Sequence, residues 1–142
     1  MSQYNIYNSI TDDEFDNLKK RLNRIEIIST PLLEKYNFHL NRDSYNEDIL
    51  ILDYSQQNQE VHGNLGVRYI DTKQPNATSL FEFYILKSYD RENKRFFKRI
   101  IIERKYSIDE LEKSAFELFA KVVSECDSIT KEELIDIIKL RD

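Results

Sequence analysis

The chain has 142 residues, enough for one domain that buries a sizeable core without disulfides or a structural metal. Its formal net charge of −5 argues against a general nucleic-acid binder, because such proteins neutralise phosphates with a basic surface. The single cysteine, Cys126, excludes an intramolecular disulfide, and no apolar run approaches the ~18 residues of a membrane span. With no signal-peptide pattern at its start, the chain is expected to be cytoplasmic and not membrane-bound.

Three segments begin with a hydroxyl residue followed three positions later by glutamate, which is the capping-box pattern of helix starts. They are Thr11–Glu14, Ser107–Glu110 and Thr130–Glu133. Each is flanked by an apolar pair at the spacing of a hydrophobic staple. The sequence therefore predicts three helices, one near the beginning of the chain and two at its end.

The first predicted helix carries an apolar stripe at the spacing of three to four residues that defines one helix face. Pro31 has no amide hydrogen to donate and crowds the preceding turn, so we expect a kink or a restart there, with Thr30 as a local cap. Asn37 tolerates the left-handed conformation and marks the expected end of the helix. The stripe consists of Phe15, Leu18, Leu22, Ile25 and Ile28.

Five strands are predicted between the first and second helices. Residues 38–41 form a short strand, and Asp48–Ser55 forms the next, which is expected to be central because it is apolar on both sides. Val61–Ile70 alternates apolar and polar residues as a half-buried strand does. Ser79–Tyr106 is a long hairpin with a charged turn, rich in β-branched and aromatic residues.

The register of this hairpin is predicted from its charges. Pairs whose residue numbers sum to 186 keep Glu82 opposite Arg104, whereas a shift by one places it opposite Glu103. The predicted core face then carries Phe81, Phe83, Ile85, Phe97 and Ile101. The predicted second face, apolar at its middle and charged at its ends, carries Leu80, Glu82, Tyr84, Leu86, Lys98, Ile100, Ile102 and Arg104.

The order of elements predicts the fold class. One helix, five strands joined by short turns and two closing helices make residues 1–142 a single α+β domain. The sheet is expected to be a mostly antiparallel five-stranded meander. Because the hairpin is predicted to be apolar on both faces, the second face needs a cover, either a helix of the chain or a partner.

The residues that could carry catalysis or bind a cofactor or metal show no recognisable site pattern. His39 and His62 have no ligand-like spacing to each other or to Cys126, which is predicted to be a buried, unreactive thiol. Gly63 and Gly66 lie inside a strand and indicate a bulge, a bend or a close backbone approach rather than a phosphate loop. The sequence therefore predicts no catalytic residue, no metal and no cofactor.

A basic stretch interleaved with aromatic residues spans positions 91–105 and has two interpretations. It fits a surface that binds an anion or single-stranded nucleic acid by charge and stacking. It also fits a charged hairpin edge that discourages aggregation. The acidic remainder of the chain favours the second interpretation.

With its capped helix, antiparallel meander, closing helices, negative charge and lack of an enzyme motif, the chain resembles the small acidic immunity proteins of bacterial polymorphic-toxin systems, including contact-dependent growth inhibition. The resemblance implies a non-enzymatic protein that neutralises one cognate toxin by stoichiometric binding. Two alternatives stay open: an acidic secretion chaperone that forms a homodimer and holds an effector segment, and an enzyme or small-ligand binder with a pocket between sheet and helices.

The predicted partner-binding surface lies on the third strand and on the second face of the hairpin, where polar and charged side chains surround apolar ones. The acidic helix starts are an alternative patch. The predicted contact residues are His62, Asn64, Arg68, Glu82, Tyr84, Lys98 and Arg104.

Overall fold

The computed structural model describes residues 6–7, 9–41, 49–58, 60–70, 80–91 and 94–134, and only the backbone for residues 91, 94–97 and 99–104. A helical turn at residues 131–134 follows the last complete helix, and the rest of the predicted third helix lies outside the described residues. The elements are α1 Asp12–Lys35, β1 His39–Leu40, β2 Ile51–Asn58, β3 Val61–Ile70, β4 Leu80–Arg91, β5 Lys94–Ser107 and α2 Ile108–Asp127.

The helix starts are confirmed. The Thr11 hydroxyl accepts a hydrogen bond from the Glu14 amide at 3.2 Å, which satisfies one amide of the first turn of α1. Ser107 and Glu110 form the complete reciprocal capping box at the start of α2. Asn37 follows α1 with a φ of 64°, as predicted for a left-handed residue at a helix end.

Pro31 does not interrupt α1, so the predicted restart was wrong. A proline inside a helix frees the carbonyl four residues earlier, which here belongs to Ile27. Ile27 is 72% exposed and Pro31 is also exposed, so both residues lie on the solvent side of α1 rather than against the core. The position of the proline on the solvent side of α1 explains why the helix continues to Lys35.

The five strands form one antiparallel sheet in the order β1-β2-β3-β4-β5, which confirms the predicted α+β fold and its meander. The central strand is β3, whereas β2 lies next to the two-residue edge strand β1, so the expected central place of the second strand was wrong. The second strand begins at Ile51, later than its predicted start at Asp48. The apolar run on which the prediction was based begins before the first residue that pairs with β3.

The predicted hairpin register was wrong in both halves of the hairpin. The sum of paired residue numbers is 185 from Tyr84 to Arg91 and 187 from Leu80 to Glu82, with an irregularity between Glu82 and Tyr84. β5 has extra residues opposite this irregularity, so the register on one side of it differs by two residues from the register on the other side. A register chosen from charge pairs alone cannot detect such extra residues. Ile102 and Arg104 lie within this irregular part.

The register corrects the predicted faces of β5. Lys98 and Ile100 stand opposite Lys87 and Ile85, so these two positions belong to the core side of the sheet. The predicted core residues Phe97 and Ile101 stand instead opposite Ser88 and Tyr84, which belong to the other side.

Both helices lie on one face of the sheet. Phe119 of α2 packs edge-to-face against Tyr54 of β2 and Phe83 of β4, with ring centroids 5.9 and 5.1 Å apart. Arg21 of α1 bridges to Glu112 and Asp109 of α2 across the helix pair. No helix in the described part of the chain is both long and apolar enough to cross a membrane.

Candidate functional site

The candidate site is the open face, which we define as the side of the sheet opposite α1 and α2. Antiparallel pairing aligns its side chains in rows across three strands. One row joins Asp53, Gly66 and Tyr84, because Asp53 pairs with Gly66 and Gly66 with Tyr84. The adjacent rows are Ile51, Arg68 and Glu82 on one side, and Ser55, Asn64 and Leu86 on the other.

The Asp53 carboxylate is the centre of a hydrogen-bond network on this face. Its Oδ2 accepts from Asn41 Nδ2 at 2.5 Å and from Asn64 Nδ2 at 3.4 Å, and its Oδ1 accepts from the Tyr84 hydroxyl. The Ser55 hydroxyl donates to Asn41 Oδ1 at 2.9 Å and holds that amide in place. Both carboxylate oxygens are therefore used, and the surrounding side chains have fixed orientations.

Gly66 permits the contact between Tyr84 and Asp53, which lie on strands either side of β3. A Cβ atom at Gly66 would stand 2.7 Å from the Tyr84 hydroxyl oxygen and 2.1 Å from the backbone oxygen of Leu52. Only a residue without a side chain allows the tyrosine to cross the central strand at this point. The close approach predicted for this pair of glycines is thus confirmed at Gly66, while a Cβ at Gly63 would meet its neighbours at ordinary contact distances.

An ion pair flanks the network. Arg68 Nε and Nη2 both donate to Glu82 Oε1, at 2.9 and 2.7 Å, and the Arg68 guanidinium lies 5.9 Å from the centre of the Tyr84 ring. The side chain of Arg68 is 36% exposed and that of Glu82 only 14%. Charge-assisted bonds that are partly shielded from water are stronger than those at a fully exposed surface. The guanidinium is thereby held against the tyrosine ring with part of its surface accessible.

Replacing Tyr84 with phenylalanine is expected to reduce the loss of stability at alkaline pH. Burial first, and then the nearby Asp53 carboxylate, raises the pKa of Tyr84 above its ordinary 10.0. A tyrosine with a higher pKa in the folded than in the unfolded state contributes stability below pH ~10, and that contribution is lost as the pH rises further. Urea denaturation at a series of pH values above ~10 measures the free energy of unfolding of both proteins. This free energy should fall more steeply with pH for the wild type than for Tyr84→Phe, by up to about 1.4 kcal/mol per pH unit. Equal slopes for the two proteins would contradict this assignment.

The structure brings together five of the seven predicted contact residues. Asn64, Arg68, Glu82 and Tyr84 lie in the rows around Asp53, and His62 lies farther along the open face, with its Nε2 2.9 Å from Asp90 Oδ2. Lys98 belongs to the opposite side of the sheet, where its Nζ donates to Glu133 at 3.1 Å. The side chain of Arg104 lies outside the described part of the structure.

Sequence reasoning missed the centre of the network. Asp53 and Ser55 alternate with the buried Leu52 and Tyr54, and this alternation in β2 was the available signal. It was obscured because Ile49 and Leu50 extend the apolar run before the strand begins. Asn41 could not have been placed from sequence, since it reaches Asp53 only through the pairing of β1 with β2.

Two of the three acidic helix starts of the alternative patch, those of α1 and α2, line a cleft of about 250 Å³, together with Arg21. Arg21 donates to both Glu112 and Asp109, and these bonds raise its pKa above the ordinary value. The arginine offsets part of the negative charge, so this patch is less acidic than the sequence of the helix starts indicates.

Cys126 is buried, as predicted, and burial raises the pKa of its thiol to about 11, which keeps it protonated at neutral pH. Its backbone oxygen accepts from the buried Lys87 Nζ at 2.9 Å, which satisfies one of the carbonyls of the last turn of α2. Within the described ranges, no three histidine, cysteine, aspartate or glutamate side chains converge on a common metal position.

Comparison of the chain with protein-family models, curated protein sequences and solved structures found no match. The function is therefore argued from the geometry of the open face.

Proposed function

We propose that this protein is a binding module that engages a cognate protein through the open face, and specifically that it is an immunity protein neutralising a bacterial toxin by stoichiometric binding. The observation that carries the proposal is the fixed network around Asp53. Its side chains are hydrogen-bonded to one another across the sheet, and the Arg68 guanidinium lies beside the Tyr84 ring at its border.

Such an arrangement suits protein recognition for an energetic reason. Binding costs free energy when mobile side chains become ordered, and a pre-ordered surface avoids much of that cost. Arginine and tyrosine are also the residue types that most often dominate the energy of protein interfaces. The neighbouring Leu86 is 36% exposed and adds an apolar contact at the edge of the network.

The described part of the open face is polar at its middle. Its centre, at Asp53, Asn64 and Tyr84, consists of hydrogen-bonding groups. A partner would therefore be selected by charge and hydrogen-bond geometry more than by apolar area, as at non-obligate interfaces. The net charge of −5 favours a basic partner surface by long-range attraction.

Leu86→Arg is expected to weaken partner binding at least about tenfold, because it places a bulky charge beside the network without removing any hydrogen bond. The matched control is Ile27→Arg, the same kind of change at an exposed position of α1 on the other side of the molecule. A tagged copy purified from its native host supplies the stoichiometric partner, and calorimetry gives its affinity for each variant. Equal affinities of the two variants would show that the open face is not the interface.

The immunity function is tested separately with the same partner. Production of the partner alone in cells should arrest growth, and co-production of the wild-type protein or Ile27→Arg should restore it. Leu86→Arg should restore growth only at higher expression, in proportion to its lower affinity. A partner that is harmless when produced alone would rule out the immunity function and leave the binding function standing.

A secretion chaperone is the second candidate, and one observation favours it. The strand β5 is the last in the sheet order, so its outer backbone groups are placed where an extended client segment could join the sheet. A chaperone would bind its partner in an unfolded state, whereas an immunity protein binds a folded toxin. Limited proteolysis of the bound partner distinguishes these two states.

A further inference from the structure

The outer edge of β5 is a second surface, distinct from the open face. This strand spans Lys94–Ser107, and in the described part of the chain it pairs with β4 alone. In an antiparallel sheet, every second residue of an edge strand directs its N–H and C=O away from its neighbour. Such an edge is a template for another strand unless something covers it or repels partners.

The geometry of the edge is regular over most of its length. Residues 94–101 pair with residues 84–91 without a break, and the irregularity lies beyond them, towards the end of the strand. Eight extended residues span about 27 Å, and about four of them direct their backbone groups outward. This length matches the segments that typically join a sheet by strand addition.

The charge of β5 is opposite to that of the rest of the protein. The strand contains six lysine and arginine residues and one glutamate, Glu103, whereas the other 128 residues contain 15 basic and 25 acidic ones. The strand therefore has a formal charge of +5 on a background of −10. Two copies of β5 side by side would bring like charges together, which disfavours a homodimer through this edge.

We propose that the edge of β5 binds an extended acidic segment of a partner protein by β-strand addition. The backbone of β5 supplies the hydrogen bonds, and its basic side chains select a segment of negative charge. Ile100 and Ile101, at the end of the regular part, favour apolar residues between the acidic ones. This proposal concerns a different surface from the open face and does not rest on the immunity function; it deepens the chaperone candidate, which uses the same edge, by naming the charge of the bound segment.

The probe is an eight-residue peptide that alternates glutamate with valine or threonine, matched in length to the regular part of β5. Fluorescence anisotropy should show saturable binding to the full chain, and the same peptide with lysine for glutamate should bind at least about tenfold more weakly. Failure of the glutamate peptide to bind, or equal binding of the two, would overturn the proposal.

Backbone methylation separates strand addition from simple charge attraction. An added strand turns the amides of alternate residues towards β5 and the others towards solvent. Of two peptides methylated on odd or on even amides, one should therefore lose binding and the other should keep it. Equal binding of the two methylated peptides, whether strong or weak, would overturn the proposal.

The protein variant is the triple charge reversal of Lys94, Arg95 and Arg99 to glutamate, which avoids the Lys98–Glu133 ion pair. The control reverses Lys20, Lys113 and Lys121, which are exposed on the helices, and changes the net charge equally. The first variant should bind the glutamate peptide at least about tenfold more weakly and the control within about twofold of the wild type. Equal weakening by both variants would overturn the proposal.

The two proposed surfaces can fail independently. Because Arg99 stands opposite Leu86, the variant that separates the two surfaces is Lys94→Glu, at the far end of β5 opposite Arg91. It should weaken binding of the glutamate peptide and leave the binding of an open-face partner unchanged. Analytical ultracentrifugation provides a last check by measuring whether the protein forms a dimer. A stable dimer that blocks peptide binding would mean that a second copy occupies the edge of β5, and this result would overturn the proposal.

Discussion

Replacing Phe119 with alanine is expected to lower the free energy of unfolding by about 3–5 kcal/mol. The side chain is fully buried between the helices and the sheet, and its ring contacts Tyr54 and Phe83 edge-to-face. Alanine would remove these aromatic contacts and leave a cavity that the surrounding side chains can fill only in part. For a domain whose total stability is about 5–15 kcal/mol, this is a large fraction.

Phe116→Ala is the matched control, because it makes the same change three residues earlier on the same helix. Phe116 is 53% exposed, so its truncation should change stability by no more than about 0.5 kcal/mol. Urea denaturation followed by circular dichroism measures both values. A Phe119→Ala protein as stable as the Phe116→Ala protein would contradict the packing of α2 on the sheet.

Gly66→Ala is expected to destabilise the fold by about 3 kcal/mol. The added Cβ would lie 2.1 Å from the backbone oxygen of Leu52, so the neighbouring strand β2 would have to move. It would also collide with the Tyr84 hydroxyl, which donates to Asp53 and cannot move without breaking that bond. The substitution therefore acts on the sheet and on the open face together.

Gly63→Ala separates this steric effect from the general effect of removing a glycine. A Cβ at Gly63 would meet Cys126, Phe38 and Gln56 at 3.6–3.8 Å, which is ordinary contact. Alanine also restricts the unfolded chain, so this variant should be within about 1 kcal/mol of the wild type and on the stabilising side. Thermal unfolding of both variants tests the difference, and equal melting temperatures would contradict the close approach at Gly66.

Local signals in the sequence predicted several elements closely. The capping residues Thr11 and Ser107 placed the starts of α1 and α2, and the alternation in Val61–Ile70 gave the full extent of β3. These predictions succeeded because capping and alternation depend on residues a few positions apart. Arg68 and Glu82 were predicted to lie on one surface for the same reason, since each is a charged residue on one side of a recognisable strand.

Predictions that depended on distant pairing were less reliable. The hairpin register was wrong because a local irregularity near Glu82 moves each half by one residue in opposite directions. One residue of register exchanges the two faces of a strand, and this error placed Lys98 on the wrong side. The restart expected at Pro31 was wrong, because α1 continues through the proline, and the effect of a proline on a helix depends on where it lies on the folded surface.

The sequence by itself determined the capped helices, the strands and the meander, because each of these follows from the chemistry of neighbouring residues. Only the tertiary structure decided that Asn41, Asp53 and Tyr84 meet, since they come from three strands aligned by backbone pairing. It also decided that α1 and α2 pack together on one face of the sheet, so that the open face lies on the opposite side. These properties arise from the relative placement of whole elements, which no short stretch of sequence encodes.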